Sequence, residues 1–261
     1  MFDLALQTVT MLAVASFIAG FVDSIAGGGG LITVPALLLA GLSPVEALGT
    51  NKIQGLFGSA SATLTYASKG QVEPRRQIRS AVMAFLGSAL GALAATVIPG
   101  AWLSAALPIV LILIALFFAF KPNMNDVDRT ERMSPVLFGL TMAPLVGFYD
   151  GLFGPGAGSF YMLAFVTLAG FGVLKATAHT KLLNFASNLG GFAVFAVVGV
   201  IYWKIGLLMG AAQFLGARTG ALLAIRNGAN LIKPLLVLMC VALAMKLLSD
   251  PANPLRVLVG M

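Results

Sequence analysis

Charged side chains are scarce in this sequence. Asp, Glu, Lys and Arg make up 10% of its 261 residues, against 59% hydrophobic, and the mean hydropathy is +0.98. A soluble domain carries about 25% charged residues, so a globule facing water on all sides is excluded. Cysteine is nearly absent. Cys240 alone allows no internal disulfide and no cysteine-based metal site. GxxxxGK[ST], GxGxxG and HExxH are missing, and with them the common signatures of phosphate cradles, dinucleotide sites and zinc peptidases. Neither a cofactor nor a metal is therefore expected. Basic residues outnumber acidic ones by 16 to 9, yet no basic cluster is interleaved with aromatics, so nucleic acid is not an expected partner. The short apolar–polar alternation of an outer-membrane barrel is absent too. Asp3, with no Lys or Arg before the first apolar run, is unlike a cleaved signal peptide.

What remains is a series of apolar runs, many near the roughly 20 residues a helix needs to cross the hydrocarbon core. They predict an all-α polytopic membrane protein, with the lipid bilayer as its surroundings. The runs are 4–25, 31–42, 53–67, 80–98, 102–120, 135–153, 160–169, 182–202, 207–225 and 232–248. Leu31–Leu42 and Phe160–Ala169 are too short for a comfortable crossing. The first contains Pro35; it reads as half of a broken helix continued by Pro44–Leu48, or as a re-entrant piece.

The chain also repeats itself. Gly20, Asp23, Gly27 and Gly29 match Gly147, Asp150, Gly154 and Gly156 at a spacing of 127 residues. Ala47, Lys52, Gly70, Phe85-Leu86-Gly87 and Gly91 match Ala176, Lys181, Gly199, Phe214-Leu215-Gly216 and Gly220 at 129. The expected organisation is a first repeat over 1–120, a cytoplasmic linker over 121–133, a second repeat over 134–250 and a tail over 251–261. The linker, KPNMNDVDRTERM, reads as a solvated loop.

Loop charges then orient the halves. If all five segments per half cross, one side receives Lys69, Arg75, Arg76, Arg79, Lys121, Arg129, Arg132, Lys175, Arg226 and Lys233, and the other receives Lys204. The positive-inside rule makes the first side cytoplasmic and puts both termini in the periplasm. An odd number of segments per half yields two inverted repeats of about five transmembrane or broken helices each, an architecture common in secondary transporters. An eight-span rival, with both short pieces re-entrant, places Arg226, Lys233 and Lys175 on the wrong side. The range is thus 8–10 segments.

Ionisable groups inside a membrane are costly and usually functional. The glycine runs break the chain and leave N–H groups free at the start of the next short helix, where partial positive charge favours an anion. Lys52 and Lys181 add charge, and Asn51, Thr50, Thr180, His179, Asn184 and Asn188 add polar groups. Together with Gly28, Gly29 and Gly156 these are the candidate substrate-binding residues, and a small anion is the expected substrate. The structural alternatives are plain: glycines for close packing, lysines that snorkel, and Asp23 and Asp150 that cap helices or pair with the lysines. Gly87-xxx-Gly91 and Gly216-xxx-Gly220 read as close helix contacts, and Arg218 faces a pore or an interface.

The duplicated G-[FV]-x-D-[SG]-x-x-G-x-G-[GA] element, the ALGTNK segment and GFYDGLFGPGAGSF followed by ATAHTKLLN resemble the TauE/SafE sulfite-exporter family, also called the toluene sulfonate uptake permeases, and within it the YfcA-like branch. The resemblance covers almost the whole chain. It implies a multi-pass transporter of the bacterial inner membrane for sulfite, thiosulfate or organosulfonates, working by alternating access and not as an enzyme. Coupling to an ion gradient would fall to Asp23 and Asp150 through protonation. A passive anion channel is the main alternative, and an intramembrane aspartyl enzyme a weaker one, since the GxGD element is missing. Homo-oligomerisation is left open.

Overall fold

The computed structural model describes residues 6–98, 126–228, 230–232, 234, 235 and 238. The expected span at 102–120, most of the one at 232–248, Cys240 and the tail lie outside the described residues. Every described element is helical. In order they are α1 (Leu6–Ala26), α2 (Gly30–Leu39), α3 (Pro44–Ser68), α4 (Ile78–Val97, entered through a 3-10 turn at Pro74–Gln77), α5 (Pro135–Leu152), α6 (Ala157–Thr167), α7 (Val173–Val198) and α8 (Trp203–Asn227).

Five of these are long and apolar enough to cross a membrane: α1, α4 with its leading turn, α5, α7 and α8. Their outward faces carry exposed Leu86, Leu90, Leu93, Leu140, Leu145, Val197 and Leu215, the residue type that lipid accepts. The short α2 and α6 extend about 15 Å and 16 Å at 1.5 Å per residue, half the hydrocarbon thickness.

The start of α3 differs from the expectation. Pro44–Leu48 does not continue α2. Ser43 and Pro44 open a new helix, with the Ser43 N–H donating to the Glu46 carboxylate at 2.9 Å, and nothing between there and Ser68 breaks it. Lys52 therefore lies inside a helix, as Lys181 does inside α7. Ser134 and Pro135 begin α5 in the same way, the Ser134 hydroxyl accepting from the Leu137 N–H.

The repeat mates are α1 with α5, α2 with α6, α3 with α7 and α4 with α8, and the packing exchanges partners between halves. α1 packs on α8 and α4 on α5; α3 packs on α8 and α4 on α7; α3 and α7 meet at the centre. Glycines set these contacts. A Cβ on Gly87 or Gly91 of α4 would collide with the backbone of Pro144 or Phe148 in α5. One on Gly216 or Gly220 of α8 would strike the backbone of Phe17 or Phe21 in α1. The expected small-xxx-small contacts are thus present twice, at equivalent places. The order of these contacts makes both pairs parallel. α3 and α7 run antiparallel: Gly49 faces Phe195, Lys52 faces Gly191, and Gly55 faces Asn188. Two equivalent helices thus point in opposite directions.

The described end of the linker, 126–132, is exposed, as a solvated loop would be, and it is also docked through its backbone. Arg129 and Arg132 donate backbone N–H groups to the carbonyls of Gly170 and Leu168. The helix α7 starts at Gly172, which has no side chain to cap it. Asp128 accepts from the Gly172 N–H at 2.7 Å and Asp126 from the Leu174 N–H at 3.0 Å. Lys175 adds an ion pair to Asp128 at 2.6 Å. The Gly172 N–H, then the Lys175 ammonium, hold the Asp128 carboxyl below its usual range. A depressed folded-state value means that this stabilisation is present above the unfolded value of about 3.9 and fades as pH falls through the folded one. Asp126→Ala with Asp128→Ala is expected to cost about 1 kcal/mol per lost cap near neutral pH. Melting curves of detergent-solubilised protein should show the gap from wild type closing as pH drops below about 4.

Candidate functional site

α1 and α5 each end in a glycine-broken stretch, and the two breaks meet at the centre of the bundle. Gly27, Gly28, Gly154 and Gly156 adopt positive φ, from 82° to 91°, a region open to glycine at little cost. The Ser159 hydroxyl at the start of α6 donates to the Ala26 carbonyl at the end of α1, at 3.1 Å. A Cβ on Gly30 would sit 3.2 Å from Pro155 Cα, and one on Gly158 3.3 Å from Gly27 Cα. The first turns of α2 and α6 therefore converge on one place.

The two lysines cross between halves. Lys52 of α3 is fully buried and pairs with Asp150 of α5 at 2.7 Å, while also donating to the Asp150 carbonyl. Lys181 of α7 is equally buried; it pairs with Asp23 of α1 at 3.4 Å and donates to the Asp23 carbonyl. Each ammonium so neutralises the other half's aspartate and bonds its carbonyl in the last turn of the helix; the Asp23 carbonyl also accepts from the Gly27 N–H at 2.9 Å. Two positive and two negative charges cancel, so the positive potential expected from the lysines is offset in this state.

A small cavity of about 30 Å³ lies between the breaks, lined by Asp23, Gly28, Gly29, Gly30, Asn51, Gly55, Asp150, Gly154, Gly156, Ala157, Gly158, Asn184, Asn188 and Gln213. Both carboxylates and both glycine turns reach it. A relay orients Asn51: Ser16 donates to Gln54 at 3.1 Å, and Gln54 and Thr33 donate to the Asn51 carbonyl oxygen at 3.0 and 2.8 Å. The Asn51 amide nitrogen is left towards Gly30 and Gly154. The side-chain oxygens of Asn184 and Gln213 are buried with no partner. A buried acceptor without a donor costs about 1–3 kcal/mol, which a bound hydrogen-bond donor such as water or a protonated acid would recover.

Of the candidate residues, Asn51, Asn184, Asn188, Gly28, Gly29, Gly156, Asp23 and Asp150 come together here. Lys52 and Lys181 stand behind the aspartates and do not line the cavity. Three candidates lie elsewhere. Thr50 accepts from the Tyr202 N–H at 3.1 Å at the far side of α3. Thr180 is buried with its hydroxyl unpaired and outside the lining. His179 packs against Phe165 and Phe171, ring centroids 5.7 and 4.8 Å away, on the linker side of α7. Helical geometry explains His179: Lys181, Asn184 and Asn188 share one face at i, i+3, i+7, and position 179 is turned off it, whereas Thr180 lies one turn before Asn184. Arg218 is exposed on α8, away from the cavity. Gln213, Gln54 and Ser187 are site residues that the repeat hides, because their mates are Ala84, Leu183 and Gly58.

The family model for the sulfite exporter TauE/SafE matches residues 12–247. The chain belongs to the TauE/SafE family. A probable membrane transporter protein, ORF9, from a Sinorhizobium species is 60% identical over 258 residues, covering 99% of both chains. The probable membrane transporter protein YfcA of Escherichia coli K12 is 47% identical, covering 92% of this chain and 89% of its own. A probable membrane transporter protein of Haemophilus influenzae is 46% identical, covering 95% and 97%. No solved structure matches the chain. Membership in TauE/SafE, with the apolar helices, makes this a multi-pass membrane transporter. The intramembrane aspartyl reading loses support from the site itself. A protease dyad needs two carboxylates sharing a proton, and here each aspartate is paired with a lysine.

Proposed function

We propose that this TauE/SafE protein carries small sulfur oxyanions or organosulfonates across the bacterial inner membrane by alternating access, with both termini periplasmic and proton uptake at the carboxylates as the coupling step. The observation that carries the reading is the meeting of two short-helix N-termini at a cavity. The N–H groups of Gly28, Gly30, Gly156 and Gly158 form no hydrogen bond there. Such N–H groups carry partial positive charge and are suited to an anion, and in inverted-repeat carriers broken helices hold anionic groups in this manner. The antiparallel α3 and α7 support inversion of the halves, since they are repeat mates. A cavity of about 30 Å³ has room for a water or two, which suits an occluded carrier better than an open channel.

Purified protein in proteoliposomes is expected to take up sulfite, thiosulfate or a sulfonate saturably, with counterflow and with acceleration by an inward proton gradient. Flux equal to protein-free vesicles for the whole panel, or large single-channel currents, would overturn the reading.

A further inference from the structure

The two cross-half ion pairs occupy equivalent positions, yet they are built differently. Asp150 has both oxygens engaged: one by Lys52 at 2.7 Å, the other by the Ser187 hydroxyl of α7. Its side chain is 4% exposed. Asp23 has one oxygen on the Gly29 N–H at 3.0 Å and the other on Lys181 at 3.4 Å, and its side chain is 16% exposed. The clamp is missing because the mate of Ser187 is Gly58, and a Cβ there would meet the Gln213 side chain at 2.8 Å. Gln213, which replaces the Ala84 of the other half, fills that space, lines the cavity and has an unpaired side-chain oxygen.

We propose that the Asp23–Lys181 pair is the moving part of the transport cycle, and that Asp150–Lys52–Ser187 is a clamp that stays shut. Asp23 takes a proton from water entering the cavity and becomes neutral. Lys181 keeps its proton, so its charge loses its counter-ion and attracts one anionic charge beside the free N–H groups. Proton and anion enter together and the site stays neutral. Departure of the anion returns Lys181 to Asp23, which then releases the proton. This deepens the oxyanion-carrier reading and rests on it.

Among the described residues, the charged and titratable groups facing Asp23 are Lys181 from α7, Tyr66 from α3 (its hydroxyl bonded to the Ser24 carbonyl), and Asp150 with Lys52 across the cavity. α2 and α6 contain no charged residue. Arg218 of α8 is exposed on the outer face, and Lys204 and Arg226 sit near its two ends.

Infrared difference spectra on stepwise acidification of purified protein test the assignment without any substrate. The wild type is expected to gain the C=O stretch of one buried protonated carboxyl. Asp23→Asn should abolish it, and Asp150→Asn should keep it. Where Asp150→Asn does not elute as folded protein, Ser187→Ala replaces it: the band persists there and disappears in Ser187→Ala with Asp23→Asn. A band that survives Asp23→Asn, or is lost in folded Asp150→Asn, overturns the proposal. In proteoliposomes, Asp23→Asn should lower proton-driven thiosulfate accumulation at least about tenfold, equivalent to 1.4 kcal/mol. Were wild type to move none of the sulfur oxyanions while the band behaved as stated, the oxyanion reading would fall and Asp23 would stand as the titrating carboxyl.

Discussion

Lys52→Ala is expected to destabilise the protein by about 3–5 kcal/mol, the range for removing one partner of a buried ion pair. The ammonium is fully buried and serves both the Asp150 carboxylate and its carbonyl. Without it, Asp150 keeps the Ser187 hydroxyl and must either stay charged in a medium of low dielectric or bind a proton. The Asp150 carbonyl loses its donor as well. Lys181→Ala should cost less, because Asp23 retains the Gly29 N–H and some access to the cavity. Melting temperatures of the two variants in one detergent make the comparison direct, and equal losses would contradict the unequal burial. Lys52→Met with Asp150→Asn should recover part of the stability, as removal of both charges leaves none uncompensated. Transport should not recover with it. Stability and function separate in this variant because the pair also sets the charge balance of the cavity.

Much of this arrangement is legible in the sequence, and the reason differs from feature to feature. Apolar runs show because lipid selects against charge along whole helices. The repeat shows because glycines at a broken helix and at a close helix crossing have no substitute, so Gly27 and Gly154, or Gly91 and Gly220, keep their register. That Asp23 and Asp150 pair with the lysines is among the sequence readings, but which lysine meets which aspartate does not show. Lys52 lies 98 positions from Asp150 and Lys181 158 from Asp23, and the packing that joins each lysine to the opposite half comes from exchange of helices between halves. The cap of α7 is hidden for the same reason: Asp128 and Asp126 act across 44 and 48 positions, and locally the linker looks only polar. α3 is under-read because its inward face carries Thr50, Asn51, Lys52, Gln54, Ser59, Ser61 and Thr63. Those residues lower its hydropathy below that of its neighbours, and they do so because it lines the centre. Gln213 is missed where the repeat is trusted too far: the cavity lining includes a position at which the two halves differ.

The glycine pair at the centre gives the second large effect. Gly27 has φ of 82°, and a Cβ on it would lie 2.6 Å from the Ser159 backbone nitrogen. Gly27→Ala must therefore adopt a left-handed conformation, costing about 1–2 kcal/mol, and also push α6 away from the end of α1. A backbone neighbour cannot turn aside as a side chain can, so the total should exceed the conformational part alone. Gly70→Ala isolates that part, because Gly70 has φ of 70° with nothing within 4 Å of a built Cβ. Gly158→Ala probes the cavity instead. Its Cβ would lie 2.6 Å from the Asn184 amide nitrogen, a flexible neighbour that can move, but only by leaving the lining. With the Gly27 Cα 3.3 Å from that Cβ as well, it should lose less stability than Gly27→Ala and at least about tenfold in apparent affinity for an oxyanion, or 1.4 kcal/mol. A Gly27→Ala protein no less stable than Gly70→Ala would show that the two breaks do not bear on each other, and with that the idea of one shared site would fail. Separate sites, one per half, would leave Gly27→Ala with the conformational cost alone. The proposed shared site adds a clash to that cost, because its surface is the contact between the halves.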